Sequence, residues 1–461
     1  MNPLALAIAV TLAMGQTPTR QAPPQAGTPK DFTLPAKEEF KLPNGLEVTL
    51  VPYGNIPKVN VQLVVRTGNV HEKANEVWLA DITADMLEEG TTSRTAEQVN
   101  AAAASMGGMV ETQVTPDETV VQGEALEDFA APMVALIAEV VRNPRMGQEE
   151  FDRIKQDRLR DLAIQKSTPQ ALAQEAFLGT VYKGHAYGRI FPTTQMLQGY
   201  TLEQVKAYYA ANLGAQRSHL YVVGQFDTAA IKAAIEKAFA DWAEGPVPAP
   251  NVPKPVTQRA VHILDRPGSV QSTIVMGAPV PDPRDPNYVK LVVMNAILGG
   301  SFSSRITSNI RENKGYTYSP QGLISARFQT AYWAEQADVT TKDTGNSLKE
   351  IFLEIDRLQA APPTEQELTA IKNYLAGTFV LQNSSRAGII GRLRFVDLHQ
   401  LPDSYLENYV QNLLAVTAQD VQAMARKIND PQMAVVIVGD KKVIEKQVKP
   451  YGKVLTIPPP K

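Results

Sequence analysis

The sequence contains no cysteine and few histidines, and both shortages limit the chemistry available to it. Without cysteine, its 461 residues can form no disulfide, thiolate metal site or cysteine nucleophile. No two of its five histidines lie close enough in sequence to form a histidine metal motif. The formal net charge of −3 gives no basic face of the kind that nucleic acid requires, so we expect no nucleic-acid partner.

No apolar run is long enough to cross a bilayer, so we expect no membrane span. The longest one near the N-terminus, Leu4–Gly15, has the length of a signal-peptide core, and a Pro- and Gln-rich stretch follows it from Thr17. We therefore expect residues 1–37 to be a signal-like and disordered segment of an exported protein, periplasmic or secreted. No Lys or Arg precedes the run, so an apolar tail without a targeting role is the alternative.

The length exceeds that of one ordinary hydrophobic core, which predicts at least two domains. A proline-rich stretch, Gly245–Pro255, is typical of a domain junction because it is stiff and poor in hydrogen-bond donors. We predict a first lobe over 38–244, a linker over 245–257 and a second lobe over 258–461.

The two halves repeat the same order of elements. Each half opens with two alternating apolar segments, which predict the strands Leu46–Val51, Val59–Val65, Val261–Asp265 and Ser269–Gly277. Each half closes with a helix that begins at a good N-cap, Thr201 or Thr417, and leads into an apolar strand ending in Val-Gly. This mixture predicts an α+β fold of two homologous lobes, each a mainly antiparallel sheet covered by helices, joined by the proline-rich linker.

The segment Ile297–Pro320 carries the clearest chemical pattern. Its middle predicts a helix over 301–312 that stops at Gly315 in the left-handed conformation, and a strand that starts at Tyr316. Arg311 and Tyr318 can then converge, offering a cationic fork and a phenol O–H to a peptide carbonyl or an oxyanion. The alternative is a surface arginine that caps its helix and a tyrosine in the core.

This segment resembles the C-terminal-half signature of pitrilysin/insulinase-type metallopeptidases, the inverzincins. The likeness covers nearly the whole chain after Lys37 and includes the turn Asn44–Leu46, Gly107–Val121 and Gly184–Arg189. It implies that Arg311 and Tyr318 bind substrate beside the scissile bond.

The same resemblance implies an H-x-x-E-H zinc motif in the first half, and the residues there differ. Asp81 and Asp85 stand where the histidines would be, Ala84 stands at the glutamate base, and Asp161 stands at about the downstream ligand position. Ala84 cannot accept a proton, so we expect no zinc cofactor and no water activation in this chain. The three aspartates could hold Mg²⁺ or Ca²⁺, or Asp81 and Asp85 could be solvated on an open helix face.

The resemblance also places substrate along an edge strand in the first half, where Asn-Ala would be expected. Here Glu111-Thr112 occupies that place. The first half has therefore lost the family's catalytic features while the pattern of its fold is retained.

The combined pattern resembles the non-catalytic subunit of heterodimers like the mitochondrial processing peptidase. It implies a chain that is inactive alone and supplies Arg311 and Tyr318 to a homologous H-x-x-E-H partner. The partner would carry zinc, and the pair would cleave unfolded peptides. The alternative is a non-enzymatic scaffold or peptide-binding homodimer of the same fold.

Overall fold

The computed structural model describes residues 33–247, 249–255, 257–428 and 432–458. The apolar run Leu4–Gly15 and the Pro- and Gln-rich stretch after it lie outside the described residues. Among the described residues, no helix has both the length and the apolar character that a membrane span needs.

The first half forms a sheet that has six strands within the described residues, in the order β1-β2-β6-β3-β5-β4. Their bounds are β1 Glu38–Lys41, β2 Glu47–Pro52, β3 Lys58–Val65, β4 Val110–Val114, β5 Thr119–Leu126 and β6 Ser218–Gly224. Only the β2–β6 pair is parallel among these pairings. The alternation along β3 correctly predicted the buried face of the strand, because all four residues of that face are fully buried: Val59, Val61, Leu63 and Val65.

The second half repeats this sheet, again with six described strands, in the order β12-β7-β11-β8-β10-β9. Their bounds are β7 Ala260–Asp265, β8 Gln271–Val280, β9 Gln321–Arg327, β10 Thr330–Thr340, β11 Ala434–Gly439 and β12 Val454–Ile457. Strands β2 to β6 and β7 to β11 occupy corresponding positions, and β4 and β9 are the corresponding free edges. The duplicated α+β fold predicted from the sequence is confirmed, whereas the lobe limits 38–244 and 258–461 stay predictions.

Helices cover both sheets. Those of the first half are α1 Leu79–Glu88, α2 Ala96–Ser105, α3 Ala130–Arg142, α4 Gln148–Ser167, α5 Pro169–Val181, α6 Thr194–Gly199, α7 Leu202–Asn212 and α8 Thr228–Phe239. Those of the second half are α9 Tyr288–Asn295, α10 Thr344–Ala360, α11 Glu365–Gln382, α12 Arg386–His399, α13 Ser404–Glu407, α14 Tyr409–Ala415, α15 Ala418–Ala425 and α16 Lys441–Val448. The predicted caps of α7 and α15 are present, because Thr201 and Thr417 each accept a backbone N–H three residues on.

The two halves exchange one helix each. Helix α5 of the first half packs on β8 and β11 of the second sheet, where Phe177 joins a buried cluster with Val275 and Val436. Helix α12 of the second half packs on β3 and β6 of the first sheet, with Ile390 buried against Val223 and its neighbours. Each sheet is therefore buried on both faces, and the halves interlock through apolar area.

Polar contacts reinforce this exchange. The Nδ1 atom of His219 on β6 lies 3.1 Å from an Oδ2 of Asp397 on α12, and the Tyr221 hydroxyl donates to the same carboxylate. Arg394 on α12 binds the buried carboxylate of Glu118 at 2.9 Å. These contacts hold α12 in one register on the first sheet.

Candidate functional site

Helix α1, where the resemblance places the zinc motif, presents a polar stripe toward its neighbours. Asp81, Asp85 and Glu88 are four and three residues apart on α1 and so share a face. The opposite face is apolar, with Ile82 and Met86 fully buried in the first core. The helix is therefore fixed by its apolar side, and the stripe is held against α4 and β4.

Asp85 is paired with an arginine instead of being solvated on an open helix face. Its two oxygens accept hydrogen bonds from Nε and a terminal nitrogen of Arg158 on α4, at 2.6 and 2.7 Å. Burial still raises the pKa of Asp85, although Arg158 opposes that shift. The planar fork of arginine matches a carboxylate in this way, so Arg158 occupies both oxygens that a cation would use.

Asp81 belongs to a second small network. Its Oδ2 accepts a hydrogen bond from Asn69 at 2.7 Å, and Asn69 also binds Glu72 at 3.2 Å. Glu72 is 5% exposed and accepts the Ala80 backbone N–H at 2.9 Å. Burial, together with the nearby Asp81, raises the pKa of Glu72 to about 8, so Glu72 keeps its proton at neutral pH.

Asp161 interacts electrostatically with Arg158 but is not hydrogen-bonded into either network. It is exposed on α4, one turn beyond Arg158, and makes no hydrogen bond or ion pair within the part of the chain that the structure describes. No group of three carboxylate or histidine side chains suited to a metal occurs in that same part. Sequence reasoning missed Arg158, which lies in the same segment as Asp161. The sequence signal that could have indicated Arg158 is its position three residues before Asp161, on the face of α4 that meets α1.

Ala84 has only 3% of its surface exposed and packs beneath the edge strand β4. Its backbone carbonyl accepts a hydrogen bond from the Thr112 hydroxyl at 3.1 Å. The carboxylate of Glu88, one turn further along α1, accepts from the Thr112 backbone N–H at 2.5 Å and from its hydroxyl at 2.8 Å. An outward N–H of β4, which an added strand would use, is therefore already bound.

The Arg311 segment lies at the other lobe's free edge. After α9, the chain forms π-helical turns over 296–300 and 307–313, with Arg311 near the end of the second. Gly315 has φ +65°, as predicted for the left-handed stop. The predicted strand at Tyr316 is wrong: only Thr317 makes an isolated bridge, to Val339, and β9 starts at Gln321.

Because this stretch is not a strand, Tyr316 and Tyr318 point to different surroundings. Tyr316 packs partly buried against the second core, whereas Tyr318 is 79% exposed. The Tyr318 ring lies against the Arg311 guanidinium, with 4.9 Å from the guanidinium carbon to the ring centroid. The expected convergence of Arg311 and Tyr318 is present, through the ring of the tyrosine.

Phe302 is a third member of this group that sequence reasoning missed. It is 71% exposed, and its ring centroid lies 4.5 Å from the Arg311 guanidinium carbon. Arg311 thus has two aromatic neighbours, and its Nε lies 3.0 Å from an oxygen of Glu312. Cation–π contacts of this kind favour an ordered guanidinium at a solvent-facing position. We call Phe302, Arg311 and Tyr318 the aromatic–arginine group.

The glycine pair before Phe302 has a packing reason. A Cβ on Gly299 would lie 2.2 Å from a carboxylate oxygen of Glu335, and one on Gly300 would lie 2.3 Å from the Asn295 side chain. Glu335 is fully buried, which raises its pKa well above the usual range. The pair therefore lets the backbone pass close to β10 before it reaches the aromatic–arginine group.

Two family models match the chain in sequence order. Residues 49–195 match the model described as Insulinase (Peptidase family M16), and residues 199–375 match the model described as Peptidase M16 inactive domain. The chain belongs to the M16, or insulinase, family of metallopeptidase-like proteins.

Individual relatives agree with this assignment. A Rickettsia bellii protein named an uncharacterized zinc protease is 25% identical over 335 residues, which is 70% of this chain and 79% of that protein. A crystal structure of a peptidase M16 inactive domain from Pseudomonas fluorescens is similar with a TM-score of 0.80 and 25% identity, over 88% of this chain and 98% of that one. The periplasmic protease PqqL from Escherichia coli shares the fold, with a TM-score of 0.76 and 16% identity, over 95% of this chain and 49% of PqqL.

The residues at the positions where the resemblance places the zinc ligands do not fit zinc. Zinc in such a site requires imidazole or carboxylate ligands with free lone pairs and an open position for water. Here Asp85 is bound at both oxygens by Arg158, and Asp81 is bound by Asn69. A guanidinium also repels a divalent cation, so no step of catalysis is assigned to a metal in this chain.

Proposed function

We propose that this chain is the non-catalytic, substrate-binding subunit of a heterodimeric zinc metalloendopeptidase. The observation that carries the proposal is the contrast between Ala84, which cannot act as a base, and Arg311, whose guanidinium lies against two exposed aromatic rings. In this proposal the chain has no peptidase activity alone. A homologous partner with an H-x-x-E-H helix holds the zinc and the general base.

Arg311 and Tyr318 would act on the peptide as hydrogen-bond donors. The neighbouring rings lie against the guanidinium, which leaves its terminal N–H groups free to donate within the guanidinium plane. The exposed Tyr318 hydroxyl supplies a second donor beside them. Two such donors, held in place before substrate arrives, would stabilise the charge that develops on a peptide carbonyl oxygen during cleavage.

The edge strands support a division of labour between the subunits. An unfolded peptide can bind by adding a strand to a sheet edge, where it pairs with outward N–H and C=O groups. In this chain, Glu88 already binds the outward N–H of Thr112 on β4. We propose that the peptide strand pairs with the corresponding edge of the partner, while this chain contributes the aromatic–arginine group from across the cleft.

Export of the chain, with its substrates in the periplasm or outside the cell, remains part of the proposal. It rests on the apolar run Leu4–Gly15. A fractionation of the native cells would test it, with the chain expected outside the cytoplasm and in a form that lacks the run.

The deciding experiment is a mild pull-down of the tagged chain from its native cells, followed by mass spectrometry and a peptidase assay. We expect a stoichiometric partner of similar size that carries H-x-x-E-H, and chelator-sensitive cleavage of an unfolded peptide by the pair only. Recovery of this chain alone as a homodimer would support the scaffold or peptide-binding alternative instead. Chelator-sensitive cleavage by the pure chain without a partner would refute both assignments.

A further inference from the structure

A cavity of about 330 Å³ lies between the two halves, apart from the aromatic–arginine group. Its walls come from one end of the first sheet, from the turn between β9 and β10, from the C-terminal end of α12 and from the linker. This volume falls in the lower part of the range of small-molecule pockets, which is about 300–1,000 Å³.

The cavity contains a buried cation without a counter-ion. Arg217 is 4% exposed and lines the cavity, and no carboxylate of the described chain lies within ion-pair distance of it. One terminal nitrogen donates to the backbone and side-chain oxygens of Asn212, at 3.1 and 3.4 Å, while Nε has no partner within the described residues. Arginine does not give up its proton, so an unpaired buried guanidinium is unfavourable until an anion meets it.

Further donors line the same space. Arg66 donates to the backbone carbonyls of Asp397 and Leu398 at the end of α12. It forms no ion pair in the described chain, although the Asp397 carboxylate is near enough to interact with it electrostatically. His71 accepts the Gly68 backbone N–H at Nδ1, 3.3 Å away, so its neutral ring carries the remaining proton on Nε2 as a donor. Burial, together with Arg217, lowers the pKa of His71 to about 4, so this neutral form persists at neutral pH.

The acidic residues of the wall are engaged or lie at the rim. Asp117 accepts hydrogen bonds from the Tyr187 hydroxyl and, at 3.4 Å, from the Phe328 backbone N–H. The Glu47 side chain is 57% exposed. Neither carboxylate lies within ion-pair distance of Arg217, so the arginine end of the cavity remains positive.

Part of the remaining wall is apolar, formed by Val70, Ala249, Pro250, Phe328 and Leu398, and polar residues complete it: Tyr187, Gln216, Ser218, His219, Asn251 and Gln400. A positive end beside an apolar wall suits a molecule with a carboxylate at one end and a hydrocarbon or aromatic body. We propose that this cavity binds a small organic carboxylate, whose oxygens accept hydrogen bonds from Arg217 and Arg66. Because the wall comes from both halves and the linker, the bound molecule also holds the halves together. This proposal is independent of the peptidase assignment.

The test is calorimetric titration of the full-length chain with benzoate, and with inorganic phosphate and chloride at matched ionic strength, supported by thermal unfolding. We expect benzoate to bind and to raise the unfolding temperature, while the two inorganic ions do neither. Arg217→Gln should weaken benzoate binding by about tenfold or more, because a charge-assisted hydrogen bond is lost. The matched control is Arg357→Gln, at an exposed arginine on α10 that pairs with Glu354, and it should bind as the wild type does.

Ala249→Trp provides a second variant in case Arg217→Gln does not fold. Ala249 is an exposed linker residue, so the indole should fill the cavity without disturbing either core, and benzoate binding should be lost. The proposal is overturned if the wild type does not bind benzoate or responds equally to phosphate and chloride. Unchanged binding in folded Arg217→Gln or Ala249→Trp would overturn it as well.

Discussion

Two edge strands of the described sheets, β4 in the first sheet and β9 in the second, occupy corresponding positions but have opposite surroundings. Beside β4, Asp85 and Glu88 of α1 are bound by Arg158 and Thr112. Ahead of β9, Phe302 and Tyr318 are exposed, and both rings lie against the Arg311 guanidinium. Two copies of the same sheet can therefore differ at their edges: the polar groups beside one edge are hydrogen-bonded within the lobe, and those beside the other edge stay available to a ligand.

The physical difference lies in where hydrogen-bond capacity is used. On α1, every polar group of the stripe finds an internal partner, which stabilises the lobe and leaves little capacity for a substrate. In the aromatic–arginine group, ring contacts order the guanidinium without using its terminal N–H groups. This comparison makes opposite predictions for substitutions at the two edges.

The largest effect is expected at the second edge. Tyr318→Phe keeps the ring beside Arg311 but removes the hydroxyl, and Arg311→Ala removes the fork. In the assembled pair, each should lower kcat for peptide cleavage by about 10²-fold or more, as for the loss of a transition-state donor. The controls are Tyr374→Phe, at another exposed tyrosine, and Arg357→Ala. Unchanged turnover in Tyr318→Phe and Arg311→Ala would remove the proposed role.

The next largest effect is expected on stability at the first edge. Arg158→Ala would leave Asp85 and Asp81 without their cation in a partly buried site, and should lower the free energy of unfolding by about 3 kcal/mol. Adding Asp85→Ala to this variant should recover part of the loss, because the unpaired carboxylate is removed. Urea unfolding at neutral pH measures both. If Arg158→Ala were as stable as the wild type, the ion pair between Arg158 and Asp85 would not contribute to the free energy of unfolding.

The pH dependence of stability tests the network around Glu72. Its pKa is about 8 in the folded chain against 4.5 as the ordinary value, so the folded state holds a proton that the unfolded state has lost between these pH values. The free energy of unfolding should therefore fall as pH rises through this window. Glu72→Gln should reduce that fall by about 3 to 4 kcal/mol between pH 5 and pH 8, since one pKa unit corresponds to about 1.4 kcal/mol. Urea unfolding at pH 5 and at pH 8 measures this fall, with the exposed Glu149→Gln as the control. An equal fall in the free energy of unfolding in the wild type and in Glu72→Gln would contradict the prediction.

The smallest effect concerns the closed edge itself. Glu88→Ala should change the free energy of unfolding by less than about 1 kcal/mol, because the side chain is exposed. It should nevertheless expose the outward Thr112 N–H and accelerate its hydrogen exchange. Mass spectrometry or NMR of exchange at β4 measures this, with exposed Glu97→Ala on α2 as the control. Equal protection of Thr112 in both variants would show that Glu88 does not close the edge.

Local features of the fold were predictable because they depend on neighbouring residues. The alternation along β3, the caps Thr201 and Thr417 and the left-handed stop at Gly315 all appear where the sequence places them. The predicted strand at Tyr316 was wrong because π-helical turns and the packing of Tyr316 on the core take precedence over a local β preference.

The candidate site was only half predictable. The resemblance placed Arg311 and Tyr318 and identified the missing base at Ala84. The sequence did not indicate that Phe302 lies on Arg311, that Arg158 binds Asp85, or that Glu88 binds the β4 edge. These partners are 9, 73 and 24 residues apart in the chain, and no local rule joins them.

The sequence by itself determined the duplicated α+β fold and membership of the M16 family, because both depend on residue identity or short-range pattern. The absence of a catalytic base at Ala84 is a prediction from the same pattern. Only the tertiary structure decided that α5 and α12 are exchanged between the sheets and that Arg217 lines an interlobe cavity with no counter-ion among the described residues. The physical reason is that burial and charge compensation depend on which surfaces meet after the chain has folded, and distant segments supply those surfaces.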